Sequence, residues 1–132
     1  MSPKEAVRFP CPCCGYPTLG ERVAYEICEL CNLEDDGQED PHADEVRGGP
    51  NQAYSLSEAR SNFRKNLIMY DPAKQDGRQN TQAVNNAKHM LIQLFDRMLE
   101  LTDEAKRENL WQQVREAESV LFSIEYPRQA GN

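Results

Sequence analysis

Cys11-Pro-Cys-Cys14-Gly15 and Cys28-Glu-Leu-Cys31, two C-x-x-C turns separated by 13 residues, decide the fold of this 132-residue chain. A tetrahedral zinc ion takes four thiolates at about 2.3 Å, and each C-x-x-C turn supplies two of them from one tight loop. The spacing therefore predicts a zinc ribbon with Zn²⁺ held by Cys11, Cys14, Cys28 and Cys31. Four protein ligands leave no open coordination position, so the metal is expected to be structural. A rubredoxin-like iron site, a redox dithiol and a disulfide pair remain as alternatives.

The residues around the cysteines fit short antiparallel strands. Gly15 suits the position after the second thiolate, where a positive φ is often needed. Residues 18–27 fit a hairpin with Gly20 at its turn. Cys13 is left over and is expected to point out of the turn. One alternative is a ligand register in which Cys13 replaces Cys11 or Cys14, although C-x-C spacing fits the turn less well. Another is a reactive thiol, whose pKa a nearby metal would lower.

The composition changes near residue 50. All 5 cysteines, 6 of the 8 prolines and 5 of the 7 glycines lie in residues 1–50. We therefore predict a zinc ribbon with an acidic loop over 1–50 and a three-helix region over 51–132, joined at 48–51. The two parts are expected to pack as one compact unit.

Three helices are predicted from apolar spacings of three and four residues. The first begins at the capping box Ser55-Leu-Ser-Glu58, and its apolar stripe runs to Tyr70, before Asp71-Pro72. The second spans about 81–101, and the third runs from the cap at 102–104 to 126. The short connection forces the last two into an antiparallel hairpin. The fold class is thus small α+β. The second helix has a second apolar face, which is compatible with a homodimer.

Residues 34–45 hold seven acids and neither Lys nor Arg, so this acidic loop accounts for the whole formal net charge of −7. It does not fit a calcium-binding EF-hand loop, because Ala43 stands where the bidentate Glu is required. One interpretation is a solvated loop that keeps the protein soluble. The functional interpretation is a negative patch that binds a protein partner with a basic surface. Its candidate contact residues are Glu34, Asp35, Asp36, Glu39, Asp40, Asp44 and Glu45.

Several classes of function are disfavoured. The acidic balance argues against nucleic-acid binding and against an anionic membrane surface. No secretory signal and no membrane span are recognisable, so a cytoplasmic location is expected. The G-x-S-x-G, P-loop and H-E-x-x-H motifs are absent, and no enzyme is predicted. Of the two histidines, His42 lies in the acidic loop and His89 is expected to be a partly buried packing residue.

The segment Phe9-Pro-Cys-Pro-Cys-Cys-Gly-Tyr16, the pair Cys28 and Cys31, the acidic turn 34–38 and the stretch 55–63 resemble the bacterial cysteine-rich CPCC family. The resemblance covers residues 9–63 and implies a bacterial, cytosolic protein. From charge, size and compartment, the leading hypothesis is a non-enzymatic protein-binding module. Its most specific form is an immunity protein that neutralises a cognate toxin such as a nuclease effector. The alternative is a cytosolic regulatory or redox-responsive protein that uses Cys13.

Overall fold

The computed structural model describes residues 7–74 and 78–127 and divides into two compact units. One unit is Arg8–Asn80, and the other combines Val7 with residues 81–127. The first helix thus lies in the same unit as the cysteines, and the predicted boundary at 48–51 stays a prediction. That the ribbon packs with all three helices as one body stays a prediction.

The strands lie on either side of the cysteine turns. Strand β1 (Phe9–Pro10) pairs antiparallel with strand β2 (Pro17–Leu19), and these strands flank the first C-x-x-C turn. Across the second turn, Ile27 and Glu34 form an isolated antiparallel bridge.

The predicted hairpin over 18–27 with its turn at Gly20 is therefore wrong. The chain reverses inside each C-x-x-C turn, where Gly15 N donates to Cys11 O at 2.8 Å and Asn32 N donates to Cys28 O at 2.9 Å. Each turn is thus itself the loop of a hairpin, and residues 18–27 connect the two.

Helix α1 (Leu56–Asn66) begins at the predicted capping box. The Ser55 hydroxyl accepts from Glu58 N at 3.0 Å, and the Glu58 carboxylate accepts from Ser55 N at 2.9 Å. Leu56, Ala59 and Phe63 are its buried residues, which is the apolar stripe expected from the spacing.

The end of α1 differs from the prediction, because the helix stops at Asn66 and not near Tyr70. Leu67 is left-handed with φ of 60°. Beyond it, Met69 N donates to Cys31 O at 2.8 Å, and Asn62 Nδ2 donates to Met69 O at 2.8 Å. These hydrogen bonds draw the chain out of the helix before the Asp71-Pro72 signal is reached.

Helices α2 (Gln82–Glu100) and α3 (Glu104–Glu125) form the predicted antiparallel hairpin. The side chains of Thr81 and Asp103 cap their N-termini. Apolar side chains from both helices are buried, and Phe95 meets Trp111 edge to face at 6.4 Å between ring centroids. Within the described residues, no helix combines the length and apolarity needed to cross a membrane.

One residue of α2 is placed differently from the prediction. His89 is exposed, whereas Lys88 is fully buried. The reason is helical geometry, since Lys88 lies four residues after Val84 and three before Leu91, on the buried stripe, and His89 lies about 100° further round the helix.

Candidate metal centre

The structure brings together the four cysteines of the two C-x-x-C turns. The Sγ atoms of Cys11, Cys14, Cys28 and Cys31 all lie within 4.8 Å of one another. Cys11 Sγ is 3.6 Å from Cys31 Sγ, and Cys14 Sγ is 3.7 Å from Cys28 Sγ. Four sulfurs at about 2.3 Å from a central ion would be separated by about 3.8 Å. The cluster therefore has the dimensions of a tetrahedral metal site.

The two turns that carry these sulfurs have the same backbone design. In each, the residue after the second cysteine is left-handed: Gly15 has φ of 81° and Asn32 has φ of 69°. Gly and Asn are the residue types that adopt this conformation most readily. Gly15 was identified from the sequence, and Asn32 was missed. Its position directly after Cys31, equivalent to that of Gly15 after Cys14, was the available signal.

Two donors outside the set of four support the sulfurs. Thr18 Oγ1 lies 3.0 Å from Cys28 Sγ, and Cys13 N donates to Cys11 Sγ at 3.4 Å. Hydrogen bonds to a thiolate stabilise its charge and orient it toward a metal. Thr18 was not expected to take part, because nothing in the cysteine spacing points to it.

The surroundings of these thiols shift their pKa values in opposite directions. The hydrogen bond with Cys11 and burial raise the pKa of Cys14, and burial raises the pKa of Cys31. Burial opposes ionisation of Cys28, yet hydrogen bonds from the neighbouring thiols and from Thr18 lower its pKa. A metal ion binds the thiolate form, so a divalent cation competes with protons for these four sulfurs.

The four sulfurs are largely shielded from solvent. Cys11, Cys28 and Cys31 are buried and Cys14 is only partly exposed, while Leu19 in β2 and Leu30 in the second turn are fully buried. A closed four-sulfur set in an apolar setting is typical of structural metal sites.

Cys13 does not point out of the turn, as the sequence suggested. It is 8% exposed and belongs to the buried residues. A buried thiol reacts slowly with solvent oxidants, so its position gives no support to a redox role.

Within the acidic loop, Asp35 differs from the other acids because it is 1% exposed. Its carboxylate accepts from Arg22 Nε and Val23 N, each at 2.8 Å, and from Gly37 N at 3.1 Å. Burial would raise the pKa of Asp35, but these donors and the Arg22 charge hold it below its ordinary value. Asp35 is thus engaged inside the protein and is not available on its surface.

The remaining acids of the loop are at or near the surface, and several have partners. Glu39 pairs with Arg22, Asp40 with Arg60, and Glu45 with His42 Nδ1 at 2.7 Å. Asp44 accepts from the Ser57 hydroxyl, Asp36 accepts from Gln38 N, and Glu34 is half-buried.

Two buried amides that sequence reasoning missed fix the loop's backbone. Gln38 Nε2 donates to His42 O and to Glu45 O, both at 2.7 Å. Asn51 accepts from Glu34 N at 3.0 Å and donates to Glu34 O at 2.7 Å. The loop is therefore folded and not merely solvated.

Comparison with family models gives a match over residues 9–88 to the family described as Cysteine-rich CPCC. The match extends beyond the residues 9–63 that carried the resemblance, and it includes all of α1. Neither the curated proteins nor the solved structures contain a match to the chain.

Proposed function

The chain belongs to the cysteine-rich CPCC family, and from this premise we propose that it is a non-enzymatic protein-binding module built on a structural zinc site. In its most specific form, the module is a bacterial, cytoplasmic immunity protein that binds and neutralises a toxin such as a nuclease effector. The metal and the acidic loop support this proposal in different ways.

The donor set supports zinc as the metal. Zn²⁺ has no geometric preference of its own and accepts four thiolates in a tetrahedron, the arrangement whose dimensions the four sulfurs have. Bound there, the ion would cross-link the two C-x-x-C turns and supply folding free energy, with no open position for a substrate. Four thiolates and one Zn²⁺ add −2 to the formal net charge of −7.

The observation that carries the binding function is the fixed conformation of the acidic loop. Asp35, Gln38 and Asn51 are buried and hold its backbone, while Glu39, Asp40 and Glu45 are exposed. Ordering a loop costs conformational entropy, and a loop that serves solubility alone needs no fixed shape. Carboxylates already held in place bind a basic surface with little further loss of freedom and speed its approach.

The redox alternative lacks a comparable observation. It requires Cys13 to react with solvent, whereas Cys13 is buried. We therefore keep protein binding as the single proposal.

The test compares two triple variants of the zinc-loaded chain. The first is Glu39→Gln/Asp40→Asn/Glu45→Gln in the acidic loop. The matched control, Glu100→Gln/Glu104→Gln/Glu116→Gln, removes the same charge from exposed positions of the helical hairpin. The probe is the protein encoded beside this chain in its source genome, titrated by calorimetry at low and high salt.

We expect the loop variant to lose about tenfold or more in affinity and to show a weaker salt dependence. The control should change affinity by less than about twofold. Equal affinities for the native chain and the loop variant would overturn the proposal, as would failure of this probe to bind the native chain.

A further inference from the structure

Three exposed apolar side chains lie within five consecutive residues just before the second C-x-x-C turn. Val23, Tyr25 and Ile27 are exposed to 55%, 58% and 61%. A single exposed apolar residue is ordinary on a protein surface, whereas several in one short segment draw attention to that segment as an interaction site. We refer to these three residues as the apolar ridge.

The backbone of the ridge is held in an unfavourable conformation. Val23 and Tyr25 are left-handed, with φ of 58° and 60°. This region is disfavoured for residues with a Cβ, and a β-branched residue such as Val is a clear outlier there. The surrounding fold must therefore impose the conformation.

Asp35 supplies the contacts that impose it. Val23 N donates to Asp35 Oδ2 at 2.8 Å, and Tyr25 N donates to Asp35 O at 3.0 Å. The Val23 side chain also lies against Gly37, where a Cβ would come within 2.9 Å of Val23 Cγ1. The ridge is thus a rigid feature, and a rigid surface loses little conformational entropy on binding.

The charge around the ridge is negative. Ile27 lies directly opposite Glu34 in the antiparallel bridge, so their side chains are neighbours on one face. Of the six acids in residues 21–36, Asp35 pairs with Arg22 inside the protein and Glu29 pairs with Arg8. The negative charge at the surface of this segment therefore comes from its other acids, which include Glu34. An apolar group bordered by carboxylates is complementary to an apolar side chain bordered by Lys or Arg.

We propose that the apolar ridge is the docking site for a basic protein segment, with an aromatic or aliphatic side chain against Tyr25 and Ile27 and a Lys or Arg at Glu34. The inference rests on the proposed binding function and names the surface and the chemistry of its partner. A second copy of this chain carries the same negative charge and is the poorer occupant, and the same repulsion applies to nucleic acid.

The experiment selects peptides from a random 12-residue display library on the zinc-loaded full chain. Selected peptides are then measured against Tyr25→Ser/Ile27→Ser and against the control Leu99→Ser/Val120→Ser. The control removes apolar side chains of similar exposure, 55% and 53%, from the helical hairpin. Zinc content and thermal midpoint establish that each variant is folded.

We expect the selected peptides to be rich in Lys or Arg beside an aromatic or aliphatic residue. The ridge variant should bind them about tenfold or more weakly, and the control within about twofold. Binding should weaken as salt is added.

One outcome is that selected peptides bind Glu39→Gln/Asp40→Asn/Glu45→Gln more weakly than the native chain but bind the ridge variant as tightly as the native chain. This result would overturn the ridge as the docking site and would still support the proposed binding function. Selected peptides without basic residues would overturn the stated partner chemistry. Self-association of the native chain that the ridge variant abolishes would assign the surface to a second copy and overturn the inference. If no peptide is enriched, the ridge is overturned as a docking site. The proposed binding function is tested separately, by the calorimetric titration of the acidic-loop variant.

Discussion

Arg22 Nε donates to the buried carboxylate of Asp35 at 2.8 Å, which ties the start of the acidic loop to the segment between the two C-x-x-C turns. The same carboxylate binds the amides of Val23 and Gly37. The most buried acid of an acidic loop is thus a structural residue that fixes both the loop and the apolar ridge.

Replacing Asp35 tests this role. Asp35→Asn leaves Arg22 without its buried partner, and the loss of charged hydrogen bonds should lower the free energy of unfolding by roughly 2 kcal/mol. The matched control is Glu39→Gln, which meets the same guanidinium at the exposed surface and should cost less than about 1 kcal/mol. Chemical denaturation of the zinc-loaded chain measures both. Similar losses for the two variants would contradict a structural role specific to Asp35.

The pKa of Asp35 predicts how stability depends on pH. Because its pKa is lower in the folded chain than in the unfolded chain, Asp35 contributes its full stabilisation only above the unfolded value of about 3.9. That contribution is lost as the pH falls below about 4, toward the folded pKa. Thermal midpoints between neutral pH and pH 3 should fall less steeply for Asp35→Asn than for the native chain. Parallel curves would show that Asp35 does not titrate as proposed. Since acid also releases zinc, both proteins are compared at matched metal content.

The metal site makes a separate prediction about stoichiometry. Native mass spectrometry should find one zinc ion per chain, and Cys28→Ser should lose it because three thiolates leave the tetrahedron incomplete. Cys13→Ser is the control, and it should retain the ion because its sulfur lies outside the set of four. Retention of zinc by Cys28→Ser, or its loss from Cys13→Ser, would mean that the ligand set is different.

Thr18 should tune the affinity of that site. Its hydroxyl lies 3.0 Å from Cys28 Sγ, and loss of such an outer hydrogen bond typically weakens metal binding by about tenfold or more. Thr18→Val keeps the shape and removes the donor, whereas Thr18→Ser keeps the donor. Competition with a chromogenic chelator should show weaker zinc binding for Thr18→Val and near-native zinc binding for Thr18→Ser. Equal affinities for the two variants would exclude a role for the hydroxyl.

Substitutions at two glycines allow the cost of backbone strain to be distinguished from the cost of steric overlap. Gly15 and Gly37 have φ of 81° and 91°, so Ala at either position is strained by about 1 kcal/mol. A Cβ at Gly15 has nothing within 4 Å, whereas at Gly37 it would lie 2.9 Å from Val23 Cγ1. Gly37→Ala should therefore destabilise the chain by about 1 kcal/mol more than Gly15→Ala, measured by urea denaturation. A larger loss at Gly15 would contradict this account of the ridge.

The two ends of α1 differ in how well neighbouring residues predict them. Its start was predictable because the capping box from Ser55 to Glu58 is a contact within four residues. Its end was not, because Met69 is drawn out of the helix by a hydrogen bond to Cys31, 38 positions earlier in the chain. The Asp71-Pro72 signal depends only on neighbouring residues, so it predicted an end of α1 that is too late in the chain.

By itself, the sequence determined the family, the α+β class, the helical hairpin and the four cysteines, because each depends on spacing along the chain. Only the tertiary structure decided which acids reach the surface. Asp35 and Asp36 are adjacent and chemically alike, yet Asp35 is buried against the Arg22 guanidinium and the Val23 amide, which come from the segment before the second C-x-x-C turn. Burial and ion pairing depend on residues distant in sequence, and no local pattern encodes those partners. The backbone conformation of Val23 and Tyr25 has the same origin, since Asp35 holds both residues from across the second C-x-x-C turn.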